Sequence, residues 1–288
     1  MNLISEIARG VWLINPEIAK GLYPMLHRIL LGDIHPIQDI DKFEPENPTY
    51  FVNISGNNSL ILESPDQQES ESLIMVTQVI GPVTKYNQLC GPMGMQEKAQ
   101  LLKSADKLDQ VKAHVIYIDS GGGEATAARL MADTIKSLTK PTFAFVEGMA
   151  ASAAYWIASA CSFVCASSPM DRIGSIGTYV SIADYRNYFK QQGIEVTTVY
   201  ASKSKDKNKD FLEAIDGNTE KLQTLVDTFN DFFLSAVKQN RSDQLDTKSK
   251  WDTGEVFFAE NATEIGLIDS IATLDNYLLE IHKTLKND

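Results

Sequence analysis

The sequence predicts an α/β fold with a mainly parallel sheet and flanking helices, preceded by an N-terminal extension. After about residue 70, short apolar runs of strand length alternate with longer stretches of helical periodicity. This order repeats as strand, helix, strand, which is typical of right-handed crossovers between parallel strands. The 288 residues are 43% hydrophobic, enough for a substantial core.

The predicted N-terminal extension covers residues 1–70. Its first part has apolar residues at helical spacing and charged residues at short intervals, which predicts one or two amphipathic helices and argues against a secretory signal or membrane span. Residues 41–71 are rich in Pro, Asn, Ser and acidic side chains, which indicates an irregular region containing one short strand. We therefore place a domain boundary near residue 70, with the main domain over residues 71–288.

The elements of the main domain follow in order from its periodicity. The predicted strands are residues 72–81, 113–120, 142–148, 162–167 and 194–200. The predicted helices are residues 95–109, 124–138, 150–160, 183–193 and 216–241. The last of these has an apolar stripe that would pack on the sheet or on a neighbouring subunit.

Charge and cysteine content exclude several classes of function. The net charge of −12 argues against a nucleic-acid surface, since phosphate binding depends on clustered Lys and Arg. The three cysteines, Cys90, Cys161 and Cys165, are an odd number without zinc-like spacing to histidine, so we expect reduced thiols, no metal and a cytoplasmic protein. The dense basic cluster is a lysine ladder, Lys203, Lys205, Lys207 and Lys209, which by itself indicates an exposed loop.

Two predicted strand-to-helix junctions are unusual. In "YIDSGGGEA" a strand runs into Gly121, Gly122 and Gly123, whose N–H groups could bind a phosphate or an oxyanion, although a tight turn needs glycine anyway. In "VEGMAASAAYWIASA" Ser152 lies among alanines, which would let a substrate backbone approach, although the pattern alone favours a close-packed helix whose serine bonds to a backbone carbonyl. Ligands of parallel α/β sheets bind at such junctions.

A nucleophilic serine needs a base, and histidine is poorly placed to supply it. The histidines are His27, His35, His114 and His282, and none falls between Ser152 and the near-terminal one. A lysine can replace histidine if desolvation or neighbouring dipoles make its neutral form accessible. The lysine ladder therefore becomes a candidate for more than a solvated loop.

These segments, together with "DRIGSIGTYVSIADYRNYFKQQGIEVTTVYASKSKD" and "WDTGEVFFAENATEIGLIDSI", resemble the S49 family of serine peptidases over residues 72–275. The family includes signal peptide peptidases and capsid maturation proteases of tailed phages. The resemblance implies a Clp and crotonase type of fold and a Ser-Lys dyad. No cofactor is implied.

Position by position, the resemblance assigns Ser152 as nucleophile and Lys205 as general base, with Lys203 as the fallback. It assigns the oxyanion hole to the N–H groups of Gly122 and Ala153. Ser175 of "GSIG" would either orient the lysine or only shape a turn. Gly121 stands where the family usually has proline, a change that would loosen the oxyanion turn but keep its N–H groups.

The implied substrates are proteins or peptides, and the implied assembly is a homo-oligomer in which serine and lysine can come from neighbouring subunits. The extension and the absence of an apolar span favour a phage or prophage capsid protease that acts on scaffold, coat or portal proteins inside an assembling procapsid. The alternative within the same chemistry is a soluble signal-peptide-peptidase homologue. A crotonase-type acyl-CoA enzyme and a non-catalytic assembly protein remain the alternatives of another class.

Overall fold

The computed structural model describes residues 12–14, 48–54, 60–63, 72–88, 91–246 and 248–287. The strands are β1 (Trp12–Ile14), β2 (Thr49–Ile54), β3 (Leu60–Glu63), β4 (Leu73–Ile80), β5 (Val111–Ser120), β6 (Gly122–Glu124), β7 (Thr142–Ala151), β8 (Phe163–Ala166), β9 (Arg172–Gly174), β10 (Val256–Phe258) and β11 (Ser270–Ile271). The helices are α1 (Met95–Ala105), α2 (Ala125–Ser137), α3 (Ala153–Ser159), α4 (Arg186–Gln191), α5 (Lys209–Ile215), α6 (Glu220–Asn240), α7 (Ala259–Glu264) and α8 (Leu274–Asn287).

The main sheet has the order β10-β9-β7-β5-β4-β2-β3, with β8 pairing β7 and β11 pairing β8. Its centre is parallel, because β5 pairs with β4 and β7, and β7 pairs with β8 and β9, all in parallel. The edges are antiparallel, formed by β10 on one side and by β2 and β3 on the other. The predicted α/β class with a mainly parallel sheet and flanking helices is confirmed.

Two buried clusters cover the two faces of this sheet. The larger one joins α1, α2, α3 and α6 to one face, and Trp156 of α3 stacks on Phe233 of α6 with ring centroids 4.9 Å apart. The smaller one joins α8 to the other face through Tyr277, Leu278 and Ile281. Because both faces are covered, the central strands are continuous apolar runs instead of alternating ones. The apolar stripe predicted for residues 216–241 thus packs on the body of the same chain.

The N-terminal part departs from the predicted helices where it is described. Residues 12–14 form the strand β1, and the rest of the predicted amphipathic helices lies outside the described residues. Within residues 41–71 the structure has two strands, β2 and β3, where one was predicted, and β2 pairs directly with β4. Residues 49–54 and 60–63 therefore contribute to the main sheet, and the boundary near residue 70 stays a prediction.

The strand predicted over residues 194–200 is wrong. These residues form no helix or strand, and every residue from 181 to 208 is exposed, including Val196 at 71% and Val199 at 88%. The sequence has strand character, but no other strand of the described chain lies beside it, and a strand needs a hydrogen-bonded partner. We call residues 179–215 the arm; the helix predicted at 183–193 is present within it as the shorter α4.

Candidate active site

Three of the predicted site residues meet at one edge of the sheet. Ser120 of β5 pairs with Ala150 of β7, and Ala150 pairs with Ile173 of β9. Gly122, Ser152 and Ser175 each lie two residues beyond a member of this row. Since adjacent strands are about 4.8 Å apart, the register brings the glycine turn and both serines together at the carboxyl ends of the strands.

Ser152 occupies a strained turn between β7 and α3. Its backbone has φ 57° and ψ −120°, a conformation that a side chain other than glycine rarely adopts. Its N–H donates to the Gly174 carbonyl at 2.7 Å, and its carbonyl accepts from Trp156 N–H at 3.0 Å. The residue is 1% exposed. A sharp, strained strand-to-helix turn of this kind is typical of hydrolase nucleophiles.

Ala153 begins the buried helix α3 directly after Ser152. As the first helical residue, its N–H has no carbonyl partner within the helix. All residues of α3 are buried, and Ala153 and Ala154 are 0% exposed. The N–H beside Ser152 therefore has no partner inside α3.

The glycine turn is held by Ser120, which the sequence analysis did not single out. Gly122 has φ 101°, and its N–H donates to Ser120 Oγ at 3.2 Å. Ser120 Oγ in turn donates to the Gly81 carbonyl at 2.5 Å. The proposed oxyanion donor thus has an internal acceptor that an oxyanion would have to displace. The serine directly before three glycines was the available sequence signal.

A pocket opens beside this turn. It is lined by Gly81, Pro82, Asp119, Ser120, Gly121, Gly122, Gly148, Met149 and Arg172. Burial, with the nearby carboxylates of Glu147 and Asp171, raises the pKa of Asp119 above its usual range. The pocket therefore places an acidic and a basic side chain next to the turn.

Asp171 fixes the end of β7 and was also missed. Its carboxylate accepts from Gly148 N–H at 2.9 Å, from Ser167 N–H and Oγ at 2.8 Å each, and from Ser168 N–H at 2.9 Å. The side chain joins the β8–β9 connection to the strand that carries Ser152. A buried carboxylate with several donors is difficult to recognise in sequence, because its partners are backbone groups.

Ser175 lies next to Ser152 but also has a structural role. Its backbone is left-handed, with φ 51°, and its N–H donates to the Glu255 carbonyl at 2.7 Å. It is 7% exposed. Its position fits a residue that orients a lysine amine as well as it fits a turn, so its predicted role stays a prediction.

Neither predicted base is bonded to Ser152 within the described chain. Lys203 and Lys205 are exposed and lie in turns of the arm. Lys209 pairs with Asp206 at 3.4 Å and with Glu213 at 3.8 Å. Among the described residues, no hydrogen bond joins Ser152 to a lysine. The structure brings together the residues predicted as nucleophile and oxyanion donors, and in the described chain neither predicted lysine is bonded to Ser152.

The described histidines are not candidates for the base. His114 pairs with Thr142 at the start of β7, whereas Ser152 follows its end, about 30 Å away at 3.3 Å per residue. His114 is buried against Asp106, with Nε2 and Oδ1 3.2 Å apart, and burial lowers its pKa. His282 belongs to α8 on the opposite face, while His27 and His35 lie outside the described residues.

The sequence model of Peptidase family S49 matches residues 134–287, more than half of the chain. The chain belongs to peptidase family S49. The predicted family is therefore confirmed. The matched region includes Ser152, Ser175 and the lysine ladder, while the glycine turn precedes it.

Several curated proteins are similar to the chain. A predicted protease of Methanocaldococcus jannaschii is 30% identical over 69% of this chain and 66% of its own length. The head-tail preconnector protein GP5 of Enterobacteria phage P21 is 30% identical over 63% of this chain and 36% of its own length. Protease 4 of Haemophilus influenzae is 26% identical over 62% of this chain and 29% of its own length. The chain thus spans less than two thirds of the length of these relatives.

Solved structures similar to the chain include a serine-to-alanine mutant of a membrane-bound stomatin-specific protease. It has a TM-score of 0.48 and 17% identity, over 71% of this chain and 82% of that one.

Within the residues that the structure describes, none of the helices combines the length and apolar character needed to cross a membrane.

Proposed function

We propose that the protein is a serine endopeptidase with a Ser-Lys dyad. The observation that carries the proposal is the common row at the sheet edge, from which Gly122, Ser152 and Ser175 all follow at the same distance. The strained backbone of Ser152 supports it, because such strain persists where the surrounding structure enforces it and clusters at active sites. Membership of family S49 supplies the reaction class.

In the proposed reaction, neutral Lys205 takes the Ser152 proton as the hydroxyl attacks a peptide carbonyl. The N–H groups of Gly122 and Ala153 stabilise the oxyanion, and Lys205 then protonates the leaving amine. A water activated by the same lysine hydrolyses the acyl-enzyme. Lys203 is the fallback for the base, and Ser175 would hold the amine in line.

We further propose that the site is completed by assembly of a homo-oligomer. In the single chain the arm is exposed and its apolar side chains have no cover, among them Ile194, Val196 and Val199. The residues with strand character, 194–200, lie directly before the ladder. A neighbouring subunit that pairs with residues 194–200 would bury these side chains. The pairing would also bring a lysine of one subunit to the sheet edge that carries Ser152 in the other.

For the biological role we propose a phage or prophage capsid maturation protease that processes scaffold, coat or portal proteins within the procapsid. The similarity to a phage head-tail preconnector protein supports this role, as does the similarity to the capsid assembly protease C of Escherichia phage lambda, which is 27% identical over 70% of this chain. The alternative is a soluble homologue of signal peptide peptidases, favoured by the similarity to Protease 4. Both roles use the same reaction.

The test is co-expression of the protein with the products of neighbouring genes, with cleavage followed by mass spectrometry. We expect capsid or scaffold fragments with the unchanged protein and none with Ser152→Ala. Cleavage of general peptides but not of capsid proteins would favour the alternative role. Turnover of a CoA thioester, with no covalent labelling of Ser152 by a serine-reactive phosphonate, would overturn the proposed peptidase activity.

A further inference from the structure

The short strand β6 continues the glycine turn, and one of its edges is fully used by the body of the protein. Val83 N–H donates to the Gly122 carbonyl at 2.9 Å, and Glu124 N–H donates to the Val83 carbonyl at 2.8 Å. A Cβ on Gly123 would lie 2.1 Å from the Val83 oxygen, so only glycine fits between the two backbones. A further strand can therefore approach β6 only from its other edge.

That other edge is occupied by β1. The backbone groups of successive strand residues point to opposite sides, so the N–H and C=O of Gly123 point away from Val83. The strand β1 pairs antiparallel with β6, placing Trp12 opposite Glu124, Leu13 opposite Gly123 and Ile14 opposite Gly122. Leu13 and Gly123 are therefore the pair whose backbone groups face each other.

The direction of β1 leads towards the reacting atoms. From Trp12 to Ile14 the strand runs from Glu124 to Gly122, which is the residue whose N–H is proposed to face the oxyanion. An extended substrate that adds to β6 as a further strand beside the glycine turn would need this same edge, because Val83 occupies the other one. Residues 12–14 and such a substrate exclude each other.

We propose that residues 12–14 compete with the substrate strand for the edge of β6 that faces away from Val83, so that the N-terminal segment is a built-in reversible inhibitor. The inference rests on the proposed peptidase function and adds a regulatory role for the extension. A three-residue strand contributes few backbone hydrogen bonds, so a substrate strand that binds the same edge more tightly displaces it. Substrates that pair well with β6 as an extended strand are cleaved, while chains that pair weakly with β6 are kept out.

The first experiment measures the pairing without any activity. Leu13→Pro removes the N–H that faces Gly123, whereas Leu13→Ala also loses the side chain but keeps this N–H. In the full chain, we expect hydrogen exchange of the Gly123 N–H to become about tenfold faster in Leu13→Pro, as for the loss of one or two backbone hydrogen bonds. Leu13→Ala should stay near the unchanged protein. Equal exchange in all three proteins overturns the proposal.

The second experiment measures the competition with two probes of Ser152. A tripeptidyl phosphonate must lie along β6 to react, whereas a small fluorophosphonate needs only the serine. We expect Leu13→Pro to react several-fold faster with the tripeptidyl probe and at an unchanged rate with the small one. Faster exchange without faster tripeptidyl labelling overturns the competition.

A synthetic peptide of residues 9–17 (RGVWLINPE) completes the test. Added to Leu13→Pro, it should slow tripeptidyl labelling, and the same peptide with an N-methyl group on its leucine should not. Failure of the N-terminal inhibitor is distinguishable from failure of the proposed function. If neither probe labels Ser152 in any variant, the peptidase proposal is wrong and the competition falls with it, while the exchange data still show whether β1 pairs with β6.

Discussion

The sheet edge that carries Ser152 and the arm that carries Lys205 are built in opposite ways. At the sheet edge, the register of three parallel strands fixes Gly122, Ser152 and Ser175, and both serines are buried. In the arm, residues 181–208 are all exposed and none of them is in a strand. The proposed nucleophile and oxyanion donors are held by the sheet of one chain, whereas the proposed base is carried by a segment whose apolar side chains are exposed.

The largest effect is expected from removing the two proposed catalytic groups. Ser152→Ala should reduce cleavage by about 10⁴-fold or more, since no other group of the site can form the acyl-enzyme. Lys205→Ala should cause a comparable loss, while Lys203→Ala should retain most activity. Quantitative mass spectrometry of the fragments measures all three. If Lys203→Ala is inactive and Lys205→Ala is active, the register of the ladder is wrong by one step.

Mixing these two inactive variants tests whether the arm acts across subunits. If the base comes from a neighbour, co-expressed Ser152→Ala and Lys205→Ala chains should recover about a quarter of the activity, because random assembly joins an intact serine to an intact lysine at that fraction of sites. A dyad within one chain would give no recovery. Size-exclusion chromatography of the mixture checks that the oligomer has formed.

The free energy of unfolding should depend more on the buried hydrogen bonds of Asp171 than on an exposed ion pair. Asp171→Ala leaves buried donors around Gly148 and Ser167 without an acceptor, and we expect the free energy of unfolding to fall by about 3 kcal/mol. The matched control is Asp133→Ala, whose exposed pair with Arg129 should change it by less than about 0.5 kcal/mol. Urea denaturation measures both, and equal losses would contradict the role of Asp171.

The strained backbone of Ser152 predicts a smaller effect on stability, in which one substitution is stabilising relative to another. Both Ser152→Ala and Ser152→Gly are inactive, but glycine adopts φ 57° without steric cost. We expect Ser152→Gly to be about 1 kcal/mol more stable than Ser152→Ala. Thermal unfolding of the two variants measures this difference. A glycine variant that is no more stable than the alanine one would argue against a strained turn.

The smallest expected effect is on the pH dependence of stability. Burial lowers the pKa of His114 in the folded protein below its unfolded value, so the unfolded chain takes up the proton first as pH falls. The free energy of unfolding should therefore decrease as pH falls from about 6.5 towards 5.5. His282 shifts in the same direction and contributes to the slope. His114→Gln should reduce the slope between these pH values, and an unchanged slope would assign it to other groups.

The sequence by itself determined the order of the central elements, since β4, β5, β7 and β8 and the helices between them follow from apolar runs and helical periodicity. It also determined the candidate nucleophile, because the family motif falls on Ser152, and the lack of a suitably placed histidine pointed to a lysine as its base. These features are local, so they are written in neighbouring residues. The same holds for the family, which was recognised from short segments in their order.

Only the tertiary structure decided which residues share the edge, because register between strands is not encoded in any one of them. It brought in Ser120 and Asp171, whose roles depend on backbone groups far away in sequence. It also showed that residues 194–200 are not a strand in the isolated chain and that residues 12–14 are one. A strand exists only with a partner to complete its hydrogen bonds, and propensity alone does not say whether that partner is present.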